Sequence, residues 1–151
     1  MARRRIIDPE FWLDEEISKL TPHARLFYIG LWGICDDNYA TFPDLPGWLK
    51  IQIFPYENVD TISLLKELSE ARKILKFEFE DQKYWYIKNF FKHQIINRPS
   101  RPKYPEFKPY LSHYYQTLTE GSMSTHPEKK RKEKKRSKEE NIKKQKNDYL
   151  F

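Results

Sequence analysis

Apolar side chains recur along this chain at two different periods, and the place where the period changes separates a helical stretch from a β-rich one. From Thr21, the segment TPHARLFYIGLWGIC carries Ala24, Phe27, Leu31 and Ile34 at three- and four-residue intervals, the spacing of one buried helix face. Thr21 is placed to cap the first turn with its hydroxyl, and Pro22 at the first helical position gives up no needed N–H. DDNYATFPD then reads as a tight exit and a short strand around Tyr39 to Phe42. LPGWLKIQIF predicts a second short helix, stopped by Pro55. Asp60 is the expected N-cap of a third, TISLLKELSEARK, in which Ile62, Leu65, Leu68 and Ala71, with Leu64, form the apolar stripe while Ser63, Lys66, Glu67 and Glu70 point outward.

After that helix the period falls to two. Leu75, Phe77 and Phe79 alternate with Lys76, Glu78 and Glu80, DQK turns, and Tyr84, Trp85, Tyr86 and Ile87 supply β-favouring residues, so a hairpin is expected. From Arg98 onward prolines at 99, 102, 105 and 109 predict an end to regular structure. Beyond Glu120, PEKKRKEKKRSKEENIKKQK holds one aliphatic residue, Ile142, too little apolar surface to offset ordering entropy. The predicted class is therefore α+β. It comprises a winged helix-turn-helix over residues 1–97 (three helices, a short strand and a β-hairpin wing), a Pro- and aromatic-rich extension over 98–119, and a disordered Lys/Arg-rich tail over 120–151.

Charge changes the picture because it is unevenly spread. The net charge is +6, yet residues 1–70 carry 7 basic and 12 acidic side chains, residues 71–119 carry 10 and 4, and residues 120–151 carry 11 and 6. A C-terminal half of that sign attracts polyanions, nucleic acid first among them. Cys35 is the only cysteine, so the chain can form neither an internal disulfide nor a cysteine zinc site, as suits a reducing cytoplasm. No apolar run approaches the ~18 residues of a membrane span, and Asp8, Pro9 and Glu10 interrupt the basic start before a signal peptide could form, so a cytoplasmic protein without membrane contact is expected.

Several segments together resemble a known family. RRRIIDPEFWLDEEISKLTPHARLFYIGLWGICDD, IFPYENV, LLKELSEARKI and NFFKHQIINRPSRPKYP are similar, in that order and over roughly residues 1–105, to the N-terminal winged-helix domain of phage replisome-organiser proteins, relatives of the DnaD-like replication initiation proteins of Gram-positive bacteria. The resemblance implies a DNA-binding protein of phage or prophage replication in a bacterial host cell, acting at an origin and helping to recruit the replicative helicase or its loader. Where relatives carry glycine after the alanine that ends the third helix, this chain has Arg72 and Lys73, so a left-handed cap there is expected to be strained or absent.

The candidate DNA contacts fall into groups, each with a blander counterpart. On the third helix Ser63, Lys66 and Thr61 are placed to read bases, although Glu67 and Glu70 on the same exposed face repel phosphate and suit a scaffold or protein-contact face. Lys73, Lys76, Lys83, Lys88 and Lys92 run through the hairpin, where lysine adds sequence-independent affinity by counterion release but also protects edge strands from aggregation. His93, Gln94, Asn97 and Arg98, followed by Arg101 and Lys103, can bond base edges or phosphates, or can cap the last strand against the first helix. Arg3, Arg4 and Arg5 suit a minor-groove arm or a solubilising end. Most aromatic residues are needed as core, whereas Tyr104, Phe107, Tyr110, Tyr114 and Tyr115 have no evident burial site.

For catalysis the pattern offers little. His23, His93, His113 and His126 lack ligand spacing, no glycine-rich phosphate loop is present, and Asp36, Asp37 and Asn38 read as an acidic turn before a cation site. No enzyme activity, cofactor or metal is expected. The expected partners are duplex or single-stranded DNA, a helicase or loader, and a second copy of the chain. A transcriptional regulator or a replisome interaction module on the same scaffold are the alternatives.

Overall fold

The structure is a computed structural model that describes residues 3–108. Expectations for the segment from Pro109 on, including the disordered tail, lie outside the described residues. In chain order the elements are a 3-10 turn (Pro9–Leu13), α1 (Glu15–Ser18), α2 (Pro22–Ile34), β1 (Thr41–Pro43), α3 (Pro46–Ile53), α4 (Thr61–Glu70), β2 (Ile74–Phe79), β3 (Gln82–Ile87) and α5 (Phe90–His93). The class is α+β, with a small three-stranded antiparallel sheet of order β1-β3-β2.

Local chemistry explains where these helices begin. Thr21 Oγ1 accepts the Ala24 N–H at 3.3 Å, and one Asp60 carboxylate oxygen accepts the N–H groups of Ile62 and Ser63, so both helices start on satisfied donors. Asp8 and Asp14 play the same part for the 3-10 turn and α1. Ala24, Phe27, Tyr28 and Leu31 are the buried stripe of α2. On α4 the stripe is Thr61, Leu64, Leu65 and Leu68, and Ile62 is 66% exposed, against expectation. At 3.6 residues per turn Ile62 sits about 60° round the helix from Leu65, on the far side from Leu64. Thr61 is no base reader either: it is buried, and its hydroxyl donates to the Pro46 carbonyl at 2.8 Å, tying α4 to the start of α3. Gly30 lets α3 approach α2, since a Cβ there would stand 2.7 Å from Ile53 Cγ2.

The hairpin turns on two residues, Glu80 and Asp81, whose φ values of 48° and 61° match a type I′ turn; Gln82 and Lys83 already belong to β3. Register pairs Ile74 with Ile87, Lys76 with Trp85 and Phe42 with Trp85, and sets Phe77 against Tyr84 and Leu75 against Tyr86. Alternation therefore sorts the sheet into two faces. Ile74, Ile87 and Phe42 on one face are fully buried, as are Phe27, Leu31, Leu49 and Leu68 of the helices. The other face presents Phe77, Tyr84 and Tyr86.

That second face is covered by chain expected to lead away. Phe107 stacks on Tyr86 with ring centroids 4.8 Å apart and tilts onto Phe77 at 5.3 Å, while Tyr104 meets Tyr84 at 6.5 Å. Thr41 Oγ1 donates to the Pro105 carbonyl at 2.8 Å. A proline-rich segment has fewer N–H donors but keeps its carbonyls and its ring surfaces, and these help to seat it. The compact unit accordingly ends at Phe107. Among the described residues no helix is long and apolar enough to cross a membrane.

Candidate nucleic-acid interface

Two turns at the base of the hairpin bring the candidate cations together. Helix α4 ends with the Lys73 N–H on the Leu68 carbonyl and the Arg72 N–H on Ser69, both at 3.0 Å, which forces Arg72 into the left-handed region at φ 57°. The left-handed cap is thus present and built on arginine, at a cost of about 1 kcal/mol relative to glycine. Asn89, closing β3, is also left-handed at φ 60°, and the Lys88 N–H bonds the Lys73 carbonyl at 3.1 Å, which ties the two turns together.

Arg72, Lys73, Lys88 and His93, with Asn89, form one wall of a cleft of about 510 Å³. Its lining also includes the apolar and aromatic Phe11, Ile17, Tyr28 and Trp32 and the acids Asp8, Glu10, Asp14 and Glu16. The Lys73 ammonium lies 2.6 Å from a Glu16 carboxylate oxygen, and this hydrogen bond and charge hold the Glu16 carboxyl below its ordinary range. The Ile17 N–H does the same for Asp14. Burial raises the Tyr28 hydroxyl to about 12. Arg72 lines the cleft although it was not among the expected contacts; its signal was a cation at a helix C-cap position that favours glycine.

The remaining predicted contacts scatter. Lys76 is held by Asp44 at 2.7 Å and lies 5.0 Å from the Trp85 ring centroid, while the Trp85 indole N–H donates to the same Asp44 at 2.8 Å. That lysine braces β2 against Asp44, the residue that follows β1. Lys83 is exposed on β3 opposite Glu78. Ser63 donates its hydroxyl to the capping Asp60 at 2.6 Å, and Lys66 stays exposed with Glu70 at 3.9 Å. Glu67 does not face outward, against expectation: its two carboxylate oxygens accept the Thr21 N–H at 2.8 Å and the Thr21 hydroxyl at 2.9 Å, so it serves the start of α2. Lys92, His93, Asn97, Arg98, Arg101 and Lys103 have exposed side chains.

Gln94 must be removed from the reading surface. It is 5% exposed, its Nε2 donates to the Ile6 carbonyl at 2.7 Å and its Oε1 accepts the Ile6 N–H at 2.9 Å. Both ends of the amide are engaged, which leaves no edge for a base. The arginine arm is corrected in the same way. Arg3 donates to the Cys35 carbonyl at 2.7 Å and to Ser100 Oγ at 3.2 Å, and Arg5 donates to the Trp32 carbonyl at 2.7 Å. Both cations thus satisfy the C-terminal carbonyls of α2, where the helix dipole favours positive charge. Only Arg4 of the three is exposed.

Asp37 joins these pieces. It accepts from Arg5 at 2.5 Å and from the Ser100 hydroxyl at 2.6 Å, with Arg3 at 3.7 Å. Burial works against its ionisation, but the Ser100 and Arg5 hydrogen bonds prevail and hold the carboxyl at about 2. Asp36, also buried, accepts the Asn38 N–H at 2.7 Å and the Lys103 N–H. Asn38 Nδ2 donates to the Ser100 carbonyl at 2.7 Å. The acidic turn is therefore the socket into which residues 100–103 fit, which is why the strip after α5 does not run outward. Burial pushes the Cys35 thiol up to about 12, which rules it out as a nucleophile at neutral pH. Among the described residues, no group of three His, Cys, Asp or Glu side chains gathers as a metal site requires. Chemically, the lining sets Arg72, Lys73, Lys88 and His93 against four carboxylates, so an anion held there competes with those acids for the cations.

Neither a protein-family model, nor a curated protein, nor a solved structure matches the chain.

Proposed function

We propose that the protein binds DNA through a winged-helix scaffold, using the base of the hairpin and α5 to hold backbone phosphates, in the manner of a phage replisome-organiser. The element order α2, β1, α3, α4 and the β2–β3 hairpin is the one a winged helix-turn-helix requires. The observation that carries the reading is the convergence of Arg72, Lys73, Lys88 and His93, from the α4–β2 turn, the end of β3 and α5, on one cleft. Lys92 on α5 and Arg98 after it are further exposed cations.

Recognition of base sequence by α4 has thinner support. With Thr61 buried, Ser63 bonded to Asp60 and Glu67 turned to α2, the helix offers a single exposed cation, Lys66. The reading is therefore weighted toward phosphate contacts, which bind many sequences alike and weaken steeply with salt.

Reversal of Lys88, Lys92 and Arg98 to glutamate in the full chain tests it. Wild type is expected to shift duplex DNA at about 50 mM salt with an affinity that falls as salt rises, and the triple variant to lose roughly 100-fold or more at low salt and to flatten the salt slope by about three. Undiminished binding by the triple variant, with its fold confirmed by circular dichroism, refutes the assignment.

A further inference from the structure

One cation of the cleft already has an anion. We propose that Glu16 is a built-in competitor for nucleic-acid phosphate. Its carboxylate sits on the Lys73 ammonium in the free protein and must be displaced when the backbone docks, so helix α1 lowers the affinity of the resting chain. The inference rests on the nucleic-acid reading above.

The two partners are unequal in a way that decides which of them gives way. The Lys73 side chain is 19% exposed and its main chain is fixed by the Leu68 and Lys88 hydrogen bonds, whereas the Glu16 side chain is 69% exposed on a four-residue helix. The cation is therefore part of the wall, and the carboxylate is the solvated, movable member. An ion pair with one solvated partner contributes little net stability, so a phosphate that also meets Arg72 and Lys88 can replace it. The arrangement reduces affinity without abolishing it. Glu15 supplies an internal control: it is next in sequence and bears the same charge, but it pairs with Lys19 at 3.1 Å and does not line the cleft.

The experiment compares full-length wild type, Glu16→Gln, Glu15→Gln, Lys73→Gln and the Glu16→Gln/Lys73→Gln double variant by fluorescence anisotropy on one duplex across a salt series. Glu16→Gln is expected to bind roughly two- to fivefold tighter, with a salt slope steeper by about one, while Glu15→Gln changes affinity less. Lys73→Gln should weaken binding more in the Glu16→Gln background than in wild type, because only there is the ammonium uncovered. Indistinguishable effects of Glu16→Gln and Glu15→Gln, or strictly additive Glu16 and Lys73 effects, overturn the inference and leave the DNA reading standing. Absence of binding by both wild type and Glu16→Gln overturns the two together.

Discussion

Two regions of this protein use the same side chains to opposite ends. At the C-terminal end of α2, Arg3 and Arg5 are bound by helix carbonyls and by buried Asp37, and a proline-rich segment locks over them through Ser100. At the base of the hairpin, Arg72, Lys88 and His93 share a wall with Lys73, and only Lys73 meets an acid at contact distance. The first region is an internal joint between the chain's N-terminal arm and the segment 100–107, anchored at Ser100, Lys103 and Pro105; the second is an open edge. Cation content does not distinguish them. What does is whether each charge finds a fixed partner within hydrogen-bond reach, and that depends on residues far away in sequence.

The largest effect that separates the regions is expected at Asp37. Asp37→Ala leaves Arg5 beside the α2 terminus without its counter-charge and should cost about 3 kcal/mol or more in urea denaturation, because an unpaired charge near the interior is expensive. DNA affinity of the folded fraction should be unchanged. The wild-type pH dependence should carry the same signature. The Asp37 carboxyl is held at about 2 in the folded protein, against an ordinary value of 3.8, so its contribution is fully present above about pH 4 and disappears as pH falls through 2. That amounts to about 2 kcal/mol of acid-sensitive stability, and Asp37→Asn should remove this part of the acid limb. An unaltered acid limb would show that the joint lies elsewhere.

A middling effect is expected at Gln94, and it bears on what could be read from residues alone. Gln94→Ala removes both hydrogen bonds to Ile6 and leaves the Ile6 N–H and carbonyl without that partner, so a loss of about 1–3 kcal/mol in thermal or urea unfolding should follow, with DNA affinity unmoved. Helices α2, α3 and α4, the strand near Phe42 and the hairpin were legible because their signals are local: caps at Thr21 and Asp60, a 3.6 period, then a period of two. The caps at Asp8 and Asp14 carry the same kind of local signal, but three helices were expected and the 3-10 turn and α1 were not among them. Gln94, Arg3 and Arg5 were not legible, since a polar side chain looks the same in sequence whether it ends in solvent or against a carbonyl many residues away. The fold-back of residues 100–107 was hidden for a related reason. Prolines signal the end of ladder hydrogen bonding, yet the anchors here are Asp36, Asp37 and Thr41, acting on a serine hydroxyl, a lysine N–H and a proline carbonyl.

The smallest effect, at Arg72, is the sharpest because its two halves have opposite signs. Glycine adopts the left-handed cap without the Cβ clash, so Arg72→Gly should stabilise the fold by about 0.5–1 kcal/mol in urea titrations. The same substitution removes a cation from the cleft wall and should weaken DNA binding several-fold at low salt, reducing the salt slope by about one. Substitutions at Asp37 and Gln94 are expected to lose stability and keep binding; this one should gain stability and lose binding. Strain retained at a position that glycine would relieve calls for some compensating use of the side chain, and phosphate contact is a use that the cleft provides. Should Arg72→Gly stabilise the protein while its affinity and salt slope stay at wild-type values, the hairpin base would be as structural as the α2 joint, and the contrast between the two regions would vanish.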